Sequence, residues 1–182
     1  TNGALVALKP GDAEILAMVG SADFADRTIA GEVNLVTSPR QPGSALKPIL
    51  YATAFDEAMI SPATVIWDIP VRYRINEWQI YQPRNYDSRF HGPITARIAL
   101  ANSYNIPAVK LLDRVGIDVM RQQAIDMGVE SFSREGSYGL GMTLGSNEVT
   151  LLEVSTAYHT LANGGLYQPA TPIRMVTDNT GT

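Results

Sequence analysis

Arg40-Gln41-Pro42-Gly43-Ser44-Ala45-Leu46-Lys47-Pro48 is the stretch whose reading decides the fold. It lies where a turn gives way to an apolar run. Ser-x-x-Lys at the opening of a helix sets a hydroxyl and an amine one turn apart on one face. A lysine held there, partly desolvated and near other donors, can lose its proton and act as base toward the serine. The competing reading is a capping serine beside a solvated lysine, and for the tetrad alone that reading stands.

Working outward, Ser103-Tyr104-Asn105 places two short polar side chains around one residue, between helical stretches and just before Ile106-Pro107. By itself this is a capping or turn pair. Joined to Pro42-Gly43 before the serine and Pro48 after the lysine, it forms a pattern hard to obtain by chance. Ser-x-x-Lys with a Ser-x-Asn-type element and Lys-Thr-Gly is the set used by class A β-lactamases and penicillin-binding proteins. The chain resembles the transpeptidase domain of a class A, high-molecular-weight penicillin-binding protein. Gly3-Ala4-Leu5-Val6-Ala7-Leu8 and Glu14-Ile15-Leu16-Ala17-Met18-Val19-Gly20 resemble that family's first strand pair. Pro83-x-Asn85-Tyr86-Asp87, Gly92-Pro93-Ile94-Thr95, Asn105-Ile106-Pro107-Ala108-Val109 and Leu144-Gly145-Ser146-Asn147-Glu148-Val149-Thr150 carry the likeness along nearly the whole chain.

The resemblance implies an α+β transpeptidase fold of the kind shared with serine β-lactamases, an antiparallel sheet beside a helical subdomain. It implies Ser44 as nucleophile, Lys47 as its base, Ser103 as proton relay to the leaving amine, and Asn105 as a group that holds the lysine or the substrate amide. The substrate implied is the D-Ala-D-Ala end of a peptidoglycan stem peptide, with transfer of the acyl group to a neighbouring stem amine. β-Lactam antibiotics would acylate the same serine. Two rivals stay open: a D,D-carboxypeptidase or β-lactamase with water as acceptor, and a non-catalytic domain that senses β-lactams or peptides. The implied location is the extracytoplasmic face of the bacterial cytoplasmic membrane.

The Lys-[Ser/Thr]-Gly strand is not found. Asn179-Thr180-Gly181-Thr182 is a poor match, lacks the cation, and is rejected. Residues 1–182 are therefore expected to be a partial transpeptidase domain, with the later strands, a glycosyltransferase domain and a membrane anchor outside this chain. The opening hairpin then lacks its sheet neighbours, and a companion chain or a second copy is expected to complete it.

Composition bounds the rest. Of 182 residues, 45% are hydrophobic and 18% charged, ordinary values for a globular protein with a real core. The net charge is −4 and the basic residues are scattered, so no nucleic-acid face is indicated. The absence of cysteine excludes disulfides and thiolate zinc sites. His91 and His159 stand apart with no carboxylate–histidine pattern, so neither metal nor cofactor is expected. No apolar run nears the roughly 20 residues that span a bilayer.

Residues 3–9 and 14–20 read as strands around the turn Pro10-Gly11-Asp12, and 21–43 as a loop. A helix is expected over 44–58, with Leu46, Ile49, Leu50, Ala54 and Phe55 on its core face. Residues 60–93 read as loops with one or two short strands. Further helices are expected over 95–102, 107–115, 118–127 and 150–163, and a strand over 171–177. Thr150-x-x-Glu153 reads as a capping box, and it, with Glu148, is assigned a structural role in preference to that of a water-activating base. Trp67, Trp78, Tyr81 and Tyr86 read mainly as packing residues rather than as a peptide or glycan groove.

Overall fold

The structure, a computed structural model, describes residues 1–178. The element order is β1 (Leu5–Leu8), β2 (Ile15–Val19), α1 (Lys47–Asp56), β3 (Val65–Asp68), β4 (Tyr73–Arg74), β5 (Ile80–Tyr81), β6 (Gly92–Thr95), α2 (Ala96–Ala101), α3 (Asn105–Val115), α4 (Ile117–Asp126) and α5 (Leu151–Ala162). Short 3₁₀ turns fall between them. The mixture of helices and antiparallel pairs is α+β. The Asn179–Thr182 segment weighed above lies outside the described residues.

The chain divides into two compact units. One comprises Thr1–Gln41, Ala124–Glu135 and Glu148–Thr182. It is built on the β1–β2 hairpin, whose register pairs Leu5 with Val19 and Ala7 with Ala17. Helix α5 packs on β1. Its start is a full capping box: the Thr150 hydroxyl accepts from Glu153 N–H, and the Glu153 carboxylate accepts from Thr150 N–H at 2.7 Å. Ala13, Val36, Val129, Phe132, Val149 and Ala157 fill this unit's core.

The other unit comprises Pro42–Gln123 and Gly136–Asn147. Helices α1, α2 and α3, with the turn that leads into α1, bury Leu46, Ile49, Leu50, Ala96, Ala99, Ile106, Val109 and Leu112. Phe55, expected on the same face, sits near the end of α1 and is 36% exposed.

Three expectations need correction. The strand expected over 171–177 is a single bridge, in which Ile15 N–H donates to Thr171 O and Thr171 N–H to Ala13 O. Pro172 has no N–H to carry a ladder further, and Ile173 N–H turns back to the Thr171 hydroxyl. Residues 60–93 hold more pairing than expected: β3 pairs with β6 as well as β4 with β5, and Pro93 is tolerated because the pair is only two strands wide. Helix α3 starts at Asn105, two residues early, for a reason found in the site.

Candidate active site

Proline chemistry shapes the turn that carries Ser44. In an α-helix the carbonyl of Ser44 would accept from the N–H of residue 48, and Pro48 has none. Lys47 N–H takes that carbonyl instead, closing a 3₁₀ turn over Gly43–Leu46, and the α-helix proper begins at Lys47. The expected helix start at residue 44 is corrected accordingly. At three residues per turn, positions i and i+3 fall into line, so Ser44 and Lys47 share one side of the turn. Ser44 is exposed, whereas Lys47 is 1% exposed.

The turn is braced from below. Gly145 has φ +79°, and a Cβ there would come within 2.1 Å of Gly43 N and 2.5 Å of Gly43 Cα. Backbone cannot yield as a side chain can, so only glycine lets Leu144-Gly145-Ser146 close on the residue before the serine.

Lys47 Nζ donates to three acceptors: Ser103 O at 2.5 Å, Asn105 Oδ1 at 2.7 Å and Ser103 Oγ at 3.1 Å. All three are neutral, and among the described residues no carboxylate pairs with this lysine. Burial therefore acts without a counter-charge and pushes its pKa down from 10.5 to about 8. Ser103 is exposed and adopts φ +54°, a left-handed backbone that closes α2 through Ser103 N–H to Leu100 O. The tight reversal brings both its carbonyl and its hydroxyl onto the lysine. Three sequence-selected residues, Lys47, Ser103 and Asn105, thus meet at one nitrogen, and Ser44 stands one turn before it.

Sequence reading missed the groups behind Asn105. The Asn85 side chain, 4% exposed, accepts from Asn105 N–H at 2.9 Å and Ile106 N–H at 3.2 Å. This cap, from a residue distant in sequence, lets α3 begin early with no capping side chain at Tyr104. Asn85 in turn donates to the buried Asp68 carboxylate. The expectation that His91 stands apart from any carboxylate is corrected: its Nδ1 is 2.6 Å from Asp68 Oδ2 and its Nε2 is 3.1 Å from Asp87 Oδ2. Asn85-Tyr86-Asp87 was visible as a motif, but nothing local marks Asp68 as its partner. Among the described residues, no group of His, Cys, Asp or Glu is arranged to hold a metal ion.

The remaining assignments separate. Burial raises the Glu153 carboxyl, and hydrogen bonds from Thr150 and Ser131 outweigh that and leave it below its usual range. Its oxygens are engaged in structure. Glu148 is exposed. The packing reading fails for three of the four aromatics: Trp67 is 56% exposed, Trp78 is 93% exposed and Tyr86 is fully exposed. Tyr81 packs on Tyr73 across β4–β5, with ring centroids 6.4 Å apart.

Against known families, the penicillin binding protein transpeptidase domain matches residues 3–180. Penicillin-binding protein 1C of Escherichia coli (strain K12) is 35% identical over 163 residues, 89% of this chain and 20% of that protein. Among solved structures, penicillin-binding protein 1A from Haemophilus influenzae superposes with a TM-score of 0.86 at 30% identity, covering 99% of this chain and 26% of that one. The PonA1 protein from Mycobacterium tuberculosis, solved in complex with penicillin V, has a TM-score of 0.78 at 19% identity and is similar in fold. The chain spans only 20% of the length of the 1C protein and 26% of the 1A structure.

Proposed function

The chain belongs to the penicillin-binding protein transpeptidase-domain family, and from that premise we propose that it carries the acylation centre of a peptidoglycan D,D-transpeptidase. The observation that carries this reading is the lysine: Lys47 Nζ is buried, held by Ser103 and Asn105, and free of any carboxylate partner among the described residues. Such an amine is poised to give up its proton near neutral pH.

In the proposed reaction the neutral Lys47 amine takes the Ser44 hydroxyl proton. The Ser44 oxygen forms a bond to the carbonyl carbon of the penultimate D-Ala of a stem peptide. When the tetrahedral species collapses, the C–N bond breaks. The departing D-Ala amine receives the proton from Lys47 through the Ser103 hydroxyl, which lies 3.1 Å from Nζ. An amine of a neighbouring stem then attacks the ester, the steps run in reverse, and Ser44 is released. Asn105 holds Lys47 through its carboxamide oxygen. β-Lactams enter by the same attack, with the ring C–N bond as the one broken. This chemistry belongs on the outer face of the bacterial cytoplasmic membrane, where peptidoglycan is.

Water as acceptor is less well supported, because Glu153 is bound into a helix cap and offers no free base. The test uses the full-length protein with a pentapeptide stem and an added amine. Release of D-Ala with formation of the amide-linked product is expected, and Ser44→Ala abolishes both. D-Ala release with only the hydrolysed tetrapeptide, at every amine concentration, would assign a carboxypeptidase instead.

A further inference from the structure

The Ser103-Tyr104-Asn105 segment is gripped from behind by one buried carboxylate. Asp68 ends β3, is fully buried, and accepts four hydrogen bonds. Two come from Asn85 Nδ2, at 3.0 Å to Oδ1 and 2.8 Å to Oδ2; two come from His91, through its backbone N–H at 3.0 Å and Nδ1 at 2.6 Å. Asn85 passes the grip to Asn105 and Ile106 by capping their N–H groups. His91 passes it to Tyr104, on which its ring stacks at 4.0 Å between centroids and 21° between planes. Asn105 Nδ2 is tied separately to Arg84 O, the residue before Asn85. Both the middle and the last residue of the Ser-x-Asn segment are thus referenced to Asp68.

The side-chain amide of Asn85 fits this place because its two ends differ. The NH₂ end meets only acceptors, the Asp68 carboxylate and Arg89 O at 2.9 Å. The oxygen end meets only N–H donors. A carboxylate at 85 would keep the oxygen toward α3 and set a second buried negative charge against Asp68. The grip also holds a costly backbone: Ser103 at φ +54° is a conformation that a non-glycine residue keeps only when its surroundings fix it.

We propose that Asp68 and Asn85 are positioning residues for acylation. They act through Asn105 and Tyr104 to hold Lys47 Nζ and the Ser103 hydroxyl in register with Ser44, and they contact no reacting atom. The proposal rests on the reading of Ser44 and Lys47 given above.

The experiment measures penicillin acylation of the full-length protein by stopped flow, separating the non-covalent dissociation constant from the first-order acylation rate. Asn85→Asp is expected to lower the acylation rate by about tenfold or more, leaving the non-covalent constant within about twofold. Asp68→Asn combined with Asn85→Asp restores one amide and one carboxylate to the pair but leaves Arg89 O without its donor, and is expected to recover part of the rate. That recovery is what a role confined to stability would not produce at equal thermal midpoint. Should Asn85→Asp fail to fold, the isosteric Asp68→Asn carries the test, with a rate about threefold or more below wild type expected. Wild-type acylation rates in the single variants, or no recovery in a folded double variant, would overturn the proposal. If the wild-type adduct maps to a residue other than Ser44, the underlying site assignment fails instead, a result distinct from either.

Discussion

Lys47 is where residue-scale physics is sharpest. Burial lowers its pKa from 10.5 to about 8, with three neutral acceptors and no counter-charge. The folded state therefore binds fewer protons than the unfolded chain between those two values. Protonating Lys47 costs the fold stability below about pH 8, and that cost disappears as pH rises toward 10.5. With Lys47 as the proposed base, the acylation rate is predicted to climb with pH through a midpoint near 8 as the amine becomes neutral. Lys47→Arg should remove that rise and nearly all acylation, because guanidinium keeps its proton. A Lys47→Arg protein labelled by penicillin at a near wild-type rate would show that the lysine is no base. At this scale Lys47, Ser103 and Asn105 were legible in sequence through the joint pattern of the two motifs and the family resemblance it carries, since the spacing of either motif alone fits a cap or a turn. Asp68 and His91 were not, since a buried carboxylate and the imidazole it orders lie more than twenty positions apart and leave no local mark.

Helices were the legible elements, because apolar period and glycine stops are local signals. The departures all trace to backbone donors and acceptors that sequence period does not report. Pro48 turns the expected helix start into a 3₁₀ turn, Asn85 starts α3 early, and Pro172 ends a would-be strand at one bridge. The Thr150–Glu153 capping box was readable as such. Its role makes a prediction of its own. Glu153→Ala strips the cap and leaves the Ser131 and Thr150 N–H groups short of an acceptor, which should cost about 1–2 kcal/mol of stability. Penicillin acylation and the slow release of the adduct should be unchanged at temperatures where the variant stays folded. A large slowing of release, with stability intact, would make Glu153 a water-activating base and revive the hydrolase reading.

At the scale of the whole molecule, the α+β class and the family were open to the sequence, because the motifs run from the first strand to α5. The grouping into two units was not, since each is assembled from segments far apart in the chain. Every residue of the proposed centre comes from one of them, the unit holding α1, α2 and α3. The other unit leaves Leu16 and Met18 exposed on one face of β2, with Leu5 and Val19 exposed at the paired end. Apolar residues so placed on a short hairpin favour association. Residues 1–182 alone are expected to self-associate, with the mass from sedimentation rising with concentration and Met18→Lys reducing it. A monodisperse monomer at all concentrations would contradict this. The central claim, that Ser44 is the acylated nucleophile, has a direct test in penicillin labelling of the full-length protein followed by intact mass spectrometry and peptide mapping. One penicillin per protein, carried on the peptide with Ser44 and lost in Ser44→Ala, is the predicted result. An adduct on another residue, or full labelling of Ser44→Ala, would contradict it.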